Sequence, residues 1–191
     1  LAARNNGPLS MGSVVRIWRE ILSANLNQQI EIRAATLSSD TDFQGLATEY
    51  VGTTSKLLYL DNIEEVIQCV AKGDAEIGIL PDLNLGVHGR WWPKLINLCK
   101  NRKLNIISHL PVATNRAKKP GAFIIAAQEP EISGNDTSVF IVDGDTYLVP
   151  GRIIDEDGDM KLIFVDGYQQ SLDAPANIKW ERIGAFPNPI V

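Results

Sequence analysis

The sequence predicts an α/β protein: an N-terminal helix, then strands alternating with helices, then a strand-rich C-terminal end. Three observations lead to this prediction. Apolar residues near the N-terminus recur at helical spacing. Residues 31 to about 108 alternate between short apolar runs and amphipathic stretches, and the remainder has β-branched runs separated by Gly- and Asp-rich turns. Near-continuous apolar strands between helices are typical of a parallel or mixed sheet covered by helices.

The first predicted element is a helix over residues 10–30. Gly7-Pro8 breaks the chain before it, and Ser10 is a suitable N-cap. Its apolar residues, spaced by three and four, are Val14, Ile17, Trp18, Ile21, Leu22 and Leu26. Because a lone amphipathic helix is marginally stable in water, this stripe requires a packing partner.

The middle segment is predicted to contain four strands and three helices. The strands are 32–37, 56–60, 76–80 and 104–108, and the helices are 43–51, 61–71 and 93–102. Gly52 and Gly73 stand where glycine favours a helix end, and Pro93 suits the first turn of the last helix.

The C-terminal half is predicted to be mostly strand. The strands are 122–127, 138–142, 146–149, 152–154 and 161–165. The acidic stretch 155–159 is interpreted as a hairpin turn, because it lacks the ligand spacing and terminal Glu of a calcium loop.

Composition excludes several classes of function. The 191 residues carry a net charge of −5, which disfavours binding to nucleic acid or to anionic membranes. No segment reaches the ~20 apolar residues of a membrane span. Cys69 and Cys99 fit no metal pattern and are interpreted as free thiols, so a cytoplasmic location is expected. His88 and His109 are isolated and interpreted as structural, so neither a metal nor a cofactor is expected.

The N-terminal helix carries a family resemblance. The R-N-x-G-P-L stretch from Arg4 and the R-x-x-R-E-I-x-S-A stretch from Arg16 resemble the third helix of type II, all-helical chorismate mutases. The resemblance implies that Asn25 and Gln29 are polar catalytic positions on one helix face, with Gln29 bonding the breaking ether oxygen. Asn25 departs from the Ser or Cys usual in that family. A plain docking helix is the alternative.

That family takes its substrate-binding cations mostly from two other helices. The chain also begins at Leu1 rather than Met, so it is expected to be a piece of a longer protein. An incomplete mutase site is therefore expected here.

Residues 31 to about 142 resemble the prephenate dehydratase domain, which is related to type II periplasmic binding folds. Three stretches carry the resemblance: Thr41 to Gly52, Lys72 to Asn84, and Gly121 to Ser138. They are similar to the family's G-T-F-S, P-I-E-N-S and T-R-F motifs with a later T-S pair. The resemblance implies a two-lobed mixed sheet with helices.

The departures from that family bear on catalysis. Gly121-Ala122 stands in place of the catalytic Thr-Arg, Leu83 and Leu85 replace Glu and Ser, and Thr41-Asp42 replaces Gly-Thr. Dehydration requires a proton donor for the leaving hydroxyl, which Gly and Ala cannot supply. Dehydratase activity is therefore expected to be absent or very weak.

A cleft that binds a small carboxylate is still expected. Asn84 follows a strand where open α/β sheets place ligands. Arg90 and Trp91 precede a helix, where an anion is favoured, although core packing of the tryptophan is an equal alternative. The predicted ligand-binding residues are Thr41, Phe43, Asn84, Arg90, Trp91, Thr137 and Ser138.

The predicted organisation has three parts: a mutase-like helix at 1–30, a dehydratase-like domain at 31–150, and a β-rich extension at 151–191. The extension faintly resembles strands of an ACT regulatory domain, without its E-S-R-P motif, and strand composition alone explains it equally well. The expected function is part of a chorismate mutase, with a degenerate domain that binds chorismate, prephenate or an aromatic amino acid, or supports a homodimer. An active dehydratase with altered residues and a purely structural module are the alternatives, so whether this chain is an enzyme is left open.

Overall fold

The computed structural model describes residues 7–29, 31–38, 41–83, 89–98, 102–112, 121–144, 146–147 and 149–189. These residues form four helices and nine strands. The helices are α1 (Met11–Asn27), α2 (Thr41–Val51), α3 (Ile63–Lys72) and α4 (Trp92–Leu98). The strands are β1 (Arg33–Leu37), β2 (Lys56–Leu60), β3 (Ile77–Pro81), β4 (Asn105–Leu110), β5 (Ala122–Ala126), β6 (Asp136–Asp143), β7 (Arg152–Asp157), β8 (Met160–Asp166) and β9 (Lys179–Pro187).

All nine strands belong to one mixed sheet, in the order β2-β1-β3-β5-β4-β9-β6-β8-β7. β1 pairs in parallel with β2 and β3, whereas β5 runs antiparallel to β3 and β4. β9 pairs in parallel with β4 and antiparallel with β6. The predicted α/β fold with a mixed sheet is therefore confirmed.

Helix α3 shows how local sequence sets these boundaries. The side chain of Asn62 accepts a hydrogen bond from the main-chain N–H of Glu65, and Gly73 ends the helix in the left-handed conformation with φ of 83°. Asn62 is thus the N-cap, so the helix begins two residues later than the predicted start at residue 61. The buried face of α3 consists of Ile63, Val66, Ile67 and Val70. This face packs on β1 and β3. These strands belong to the first lobe of the sheet, which consists of β1 to β5.

The predicted strand at 146–149 was wrong. The main-chain N–H of Val149 donates to the carbonyl of Thr146 at 3.0 Å, which makes a turn, and Tyr147 is 89% exposed. An alternation of apolar and polar residues over four positions is too short to specify a strand where no neighbouring strand accepts its hydrogen bonds.

The segment after residue 150 supplies three strands of the same sheet. β7 and β8 form the predicted hairpin, and β8 and β9 lie on either side of β6. β9 buries its residues 182–186 in succession between β6 and β4. Because β9 lies between β4 and β6, the C-terminal segment joins the two halves of the sheet: β1 to β5 on one side, and β6 to β8 on the other.

Helix α1 packs against α2 and leaves part of its apolar stripe exposed. The hydroxyl of Ser23 is buried and donates to the carbonyl of Val51 at 2.6 Å, which fixes α1 to the end of α2. On the other side, Ile17, Trp18 and Ile21 are each 42–49% exposed. Within the residues described above, no helix is both long and apolar enough to cross a bilayer.

Candidate ligand-binding cleft

A cavity of about 690 Å³ lies where the two halves of the sheet meet. Its lining comes from five neighbouring strands and includes His109 of β4, Thr137 of β6, Phe164 of β8 and Phe186 of β9. Arg152 at the start of β7 also lines it. This volume is in the range that small-molecule sites occupy, and aromatic walls with a few polar groups are typical of such sites.

Behind this cavity the chain brings together Asp82, His109 and Gly121. Asp82 follows β3, His109 lies near the end of β4, and Gly121 precedes β5, which pairs antiparallel with both strands. The main-chain N–H of Asp82 donates to the carbonyl of Gly121 at 3.0 Å. Nε2 of His109 lies 3.6 Å from Oδ2 of Asp82, within ion-pair range but too long for a hydrogen bond.

The imidazole of His109 is held by aromatic rings. Its centroid is 4.4 Å from that of Phe123 and 5.4 Å from that of Phe186. Nε2 is buried and has no hydrogen-bond partner among the residues that the structure describes. The ring is therefore fixed in position, with one nitrogen facing the carboxylate of Asp82.

Two opposing effects act on the carboxyl of Asp82. Burial raises its pKa, while the adjacent imidazole of His109 and the main-chain N–H of Leu83, at 2.7 Å, lower it by more. The pKa of Asp82 is consequently held below its ordinary value. An ionised carboxylate in this position can orient an imidazole.

Gly121 provides the space that this pair occupies. A Cβ atom at position 121 would lie 2.6 Å from Oδ2 of Asp82 and 3.1 Å from Nε2 of His109. Any side chain there would displace one of the two groups. The space beside position 121 is thus occupied by Asp82, which follows β3, and by His109 of β4.

The two hydroxyl residues predicted from sequence have different surroundings. Oγ1 of Thr137 lines the cavity and donates to Oδ1 of Asn188 at 2.6 Å. Oγ of Ser138 is fully buried, donates to the carbonyl of Gly167 at 2.8 Å, and accepts from the N–H of Gln169 at 2.7 Å. The hydroxyl of Ser138 is therefore committed to the main chain.

Arg90 and Trp91 lie beside the cleft rather than in its lining. Nε of Arg90 donates to Oδ2 of Asp155 at 2.8 Å. Trp91 is 1% exposed, its Nε1 donates to the carbonyl of Pro81, and its ring packs on Phe123 at 5.5 Å. This indole supports the ring on which His109 stacks and presents almost no surface to a ligand.

The remaining predicted site residues are dispersed. Phe43 belongs to α2 and is 2% exposed, with its ring in the core. Asn84 and the side chain of Thr41 lie outside the described residues. Asn25 is exposed on α1, and Gln29 lines a second cavity that shares no lining residue with the cleft.

Sequence reasoning named Thr137 but missed the Asp82–His109 pair. The two residues are 27 positions apart, and although Asp82 lies in the stretch compared with P-I-E-N-S, His109 lies in none of the compared stretches, so only the strand pairing brings them together. Across the described part of the chain, no three His, Cys, Asp or Glu side chains are grouped in a way that could hold a metal ion.

Comparison with solved structures finds the same architecture in three proteins. A prephenate dehydratase from Arthrobacter aurescens in complex with L-Phe has a TM-score of 0.59 at 12% identity, over 84% of this chain and 92% of that one. A prephenate dehydratase from Streptococcus mutans has a TM-score of 0.51 at 12% identity, over 81% and 97%. GqqA, described as a novel type of quorum-quenching acylase, has a TM-score of 0.58 at 11% identity, over 83% and 96%.

No protein-family model and no curated protein matches the chain. At 11–12% identity the structural likeness shows the fold alone. The chain has the mixed α/β, periplasmic-binding-protein-like fold of the prephenate dehydratases.

Proposed function

We propose that this domain binds a small carboxylate in the cleft between the two halves of its sheet and does not dehydrate prephenate. The observation that carries the proposal is the Asp82–His109 pair, which occupies the space beside Gly121 where a dehydratase-like site would require the side chains of Thr and Arg. The fold shared with a dehydratase crystallised with L-Phe supports small-molecule binding.

The lining of the cleft suits a carboxylate with an apolar body. Arg152 and Asp166 both line the cavity, and within the described residues Arg152 makes no ion pair, so its guanidinium can receive a carboxylate. The rings of Phe164 and Phe186, 5.3 Å apart, form an apolar wall. Thr137 adds a hydroxyl and His109 an imidazole edge at the same cavity.

The same residues do not provide a well-placed proton donor for dehydration. Loss of hydroxide needs a proton donor close to the leaving group. Position 121 carries no side chain, and Ala122 has only a methyl group, which is fully buried. Of the two ring nitrogens of His109, Nε2 is buried and faces Asp82 rather than the open cavity.

Acyl hydrolysis is a second candidate, favoured by the Asp82–His109 pair and by the fold shared with the acylase GqqA. In this reaction His109 would take a proton from water, the water oxygen would bond to the acyl carbon, and the proton would pass to the leaving amine or alcohol. A covalent route is disfavoured, because no hydroxyl of the described residues bonds to His109, and Thr137 donates to Asn188 instead.

The N-terminal helix belongs to a separate proposal. We infer that α1 is one helix of a chorismate-mutase-like bundle that assembles as a homodimer. Its exposed apolar residues support this, because Ile17, Trp18 and Ile21 would be covered in such a bundle.

A chorismate mutase assay tests this role of α1. Conversion of chorismate by a protein that contains this chain, reduced at least tenfold in kcat by Gln29→Ala, would support it. Unchanged turnover in the variant would remove it.

Thermal shift measurements test carboxylate binding. Prephenate, phenylpyruvate and phenylalanine, each at millimolar concentration, are compared with buffer, because a ligand that binds only the folded state raises Tm by mass action. We expect at least one of them to raise the Tm of the wild type and of the control Arg16→Gln, whose side chain is exposed on α1. Arg152→Gln should lose most of this shift.

Two results would contradict the proposal. One is a wild-type Tm that none of the three compounds raises. The other is an equal shift in Arg152→Gln, which would place the ligand elsewhere. Release of an amine from N-acyl substrates, lost in His109→Gln, would instead favour the hydrolytic candidate.

A further inference from the structure

A second cavity, of about 520 Å³, lies at the opposite end of the first lobe. Its lining includes Ile77, the first residue of β3, whereas the cleft pair includes Asp82, which follows the last residue of that strand. Helix α1 and the end of α2 close its other sides. No described residue lines both cavities, so the two are separate places in the molecule.

The walls of this second cavity are mostly apolar. Leu22 of α1, Val51 at the end of α2, Ile32 before β1 and Ile77 face into it. Leu22 is 53% exposed, so apolar surface remains open to water. A body of aliphatic or aromatic carbon would bury this surface, at roughly 25 cal/mol for each Å² removed from water.

Arg19 lines the cavity and is not paired with a carboxylate of the described residues. The guanidinium of Arg19 stacks 4.4 Å above the ring of Tyr50, and it donates a hydrogen bond of 3.4 Å to the carbonyl of Tyr50. Within the described residues no carboxylate lies at ion-pair distance from Arg19. The neighbouring Glu49 pairs with Arg16 at 3.0 Å.

Glu76, the acidic residue of the same lining, is also occupied. Its carboxylate accepts from the guanidinium of Arg33 at 2.7 Å and from the main-chain N–H of Arg33 at 2.6 Å. Burial lowers the pKa of Arg19, which reflects the cost of keeping this charge away from water. A guanidinium has five N–H donors, so most of its capacity remains for an anion.

We propose that this cavity is a second ligand site, which binds a small monocarboxylate with an apolar body through Arg19. The carboxylate pairs with the guanidinium, and the apolar part contacts Leu22, Val51 and Ile77. The amides of Gln29 and Gln128, which also line the cavity, face the polar end of such a ligand. A buried charge pair of this kind is selective, because an uncharged analogue leaves the guanidinium unpaired.

The site does not depend on the carboxylate binding proposed for the cleft. Its cation, its walls and its position at the start of β3 are all different. Loss of one site should therefore leave the other intact, which allows the two to be tested separately.

Titration calorimetry with 3-phenylpropanoate tests the second site, with 3-phenylpropanamide as the uncharged control. We expect the wild type to bind the acid at least tenfold more tightly than the amide. Arg19→Gln should weaken binding of the acid at least tenfold, and Arg19→Lys, which keeps the charge, should weaken it less. Lys179→Gln, exposed on β9 and outside the lining of both cavities, should bind as the wild type does.

Arg152→Gln separates this site from the cleft. In an Arg152→Gln background, binding of 3-phenylpropanoate that persists and is then lost when Arg19→Gln is added supports the second site. Binding lost in Arg152→Gln and kept in Arg19→Gln overturns it, as does equal affinity for the acid and the amide, or no binding by the wild type.

A measurement on the wild type covers the case in which Arg19→Gln does not fold. Intermolecular NOEs between the phenyl protons of 3-phenylpropanoate and the protein should involve Tyr50, Val51 and Ile77. NOEs to Phe164 and Phe186 instead would place the ligand in the cleft and overturn the proposal.

Discussion

Gly121 has no side chain, and a Cβ atom at this position would be in close contact with Oδ2 of Asp82 and Nε2 of His109. The nearer, Oδ2 of Asp82, is the end of a side chain and can move, whereas the carbonyl of Leu110 at 3.1 Å is main chain. A methyl group at position 121 is therefore expected to push Asp82 away from His109 rather than to distort the sheet.

Gly121→Ala is predicted to lower the free energy of unfolding by about 1–3 kcal/mol. In an Asp82→Ala background the same change should cost about 1 kcal/mol less, because the obstructing carboxylate is gone. Urea denaturation of the four proteins measures this coupling. Gly45→Ala, at an open helical position, is the matched control and should be neutral or slightly stabilising. If the effects of Gly121→Ala and Asp82→Ala on the free energy of unfolding are fully additive, the close contact between positions 121 and 82 is contradicted.

Asp82 also gives the molecule a pH-dependent stability. Because its pKa is lowered on folding, its contribution is fully present above the ordinary aspartate pKa of about 4 and is lost as pH falls through the folded value. The unfolding free energy of Asp82→Asn should be about 1 kcal/mol below that of the wild type at pH 6, and the difference should shrink between about pH 4 and pH 2.

Thermal denaturation across this pH range checks the prediction. Asp173→Asn, at an exposed position, should stay within about 0.5 kcal/mol of the wild type throughout. A difference between wild type and Asp82→Asn that stays constant down to pH 2 would show that Asp82 is not preferentially ionised in the folded state.

Among single residues, the sequence shows that positions 121 and 122 carry no polar side chain. It does not show that Asp82 and His109 lie beside them. Gly121-Ala122 can be read directly against the dehydratase motif. The pairing of Asp82 with His109 requires knowing that β5 lies between β3 and β4, which is a long-range fact without a local signal. For the same reason Trp91, adjacent in sequence to a charged residue, could not be assigned to the core.

At the scale of elements, β9 determines whether the two halves of the sheet form one body. It contacts β4 at Ile106 through Gly184, whose φ is 149°. A Cβ atom at position 184 would lie 2.5 Å from the main-chain nitrogen of Ile106 and 2.8 Å from its Cα. Both the conformation and the close approach of the two strands require glycine here.

Gly184→Ala is predicted to be more damaging than Gly121→Ala, because the obstruction is main chain and cannot rotate away. A loss of about 3 kcal/mol or more in the free energy of unfolding is expected. Hydrogen exchange should show faster exchange in β4 and β9 than in β1 and β2. A loss below about 1 kcal/mol would mean that the strands can separate at this point without consequence.

The elements predicted best were those with a strong local signal. Helix α3 has an N-cap, an amphipathic period and a terminal glycine, and its structure matches the prediction within about two residues at either end. The strand predicted at 146–149 had only a short alternation, and the structure has a turn there. Strand β9 was not among the predicted strands, because Arg182 and Gly184 interrupt its apolar run and its first three residues are exposed.

At the scale of the whole molecule, the fold follows from the order of strands and helices, and the structural neighbours share it. The two cavities do not follow from that order, because each is formed by residues distant in sequence. The cleft draws on β4, β6, β7, β8 and β9, and the second cavity on α1, α2 and the starts of β1 and β3.

The central claim is that the cleft binds a small carboxylate and leaves prephenate intact. The most direct measurement is incubation of the purified protein with prephenate at pH 7.5, with phenylpyruvate followed by its absorbance in alkali and binding followed by calorimetry. The account predicts heat of binding that Arg152→Gln abolishes, and no phenylpyruvate above the spontaneous rate. Phenylpyruvate formation well above that rate, lost in His109→Gln or Thr137→Ala, would contradict it.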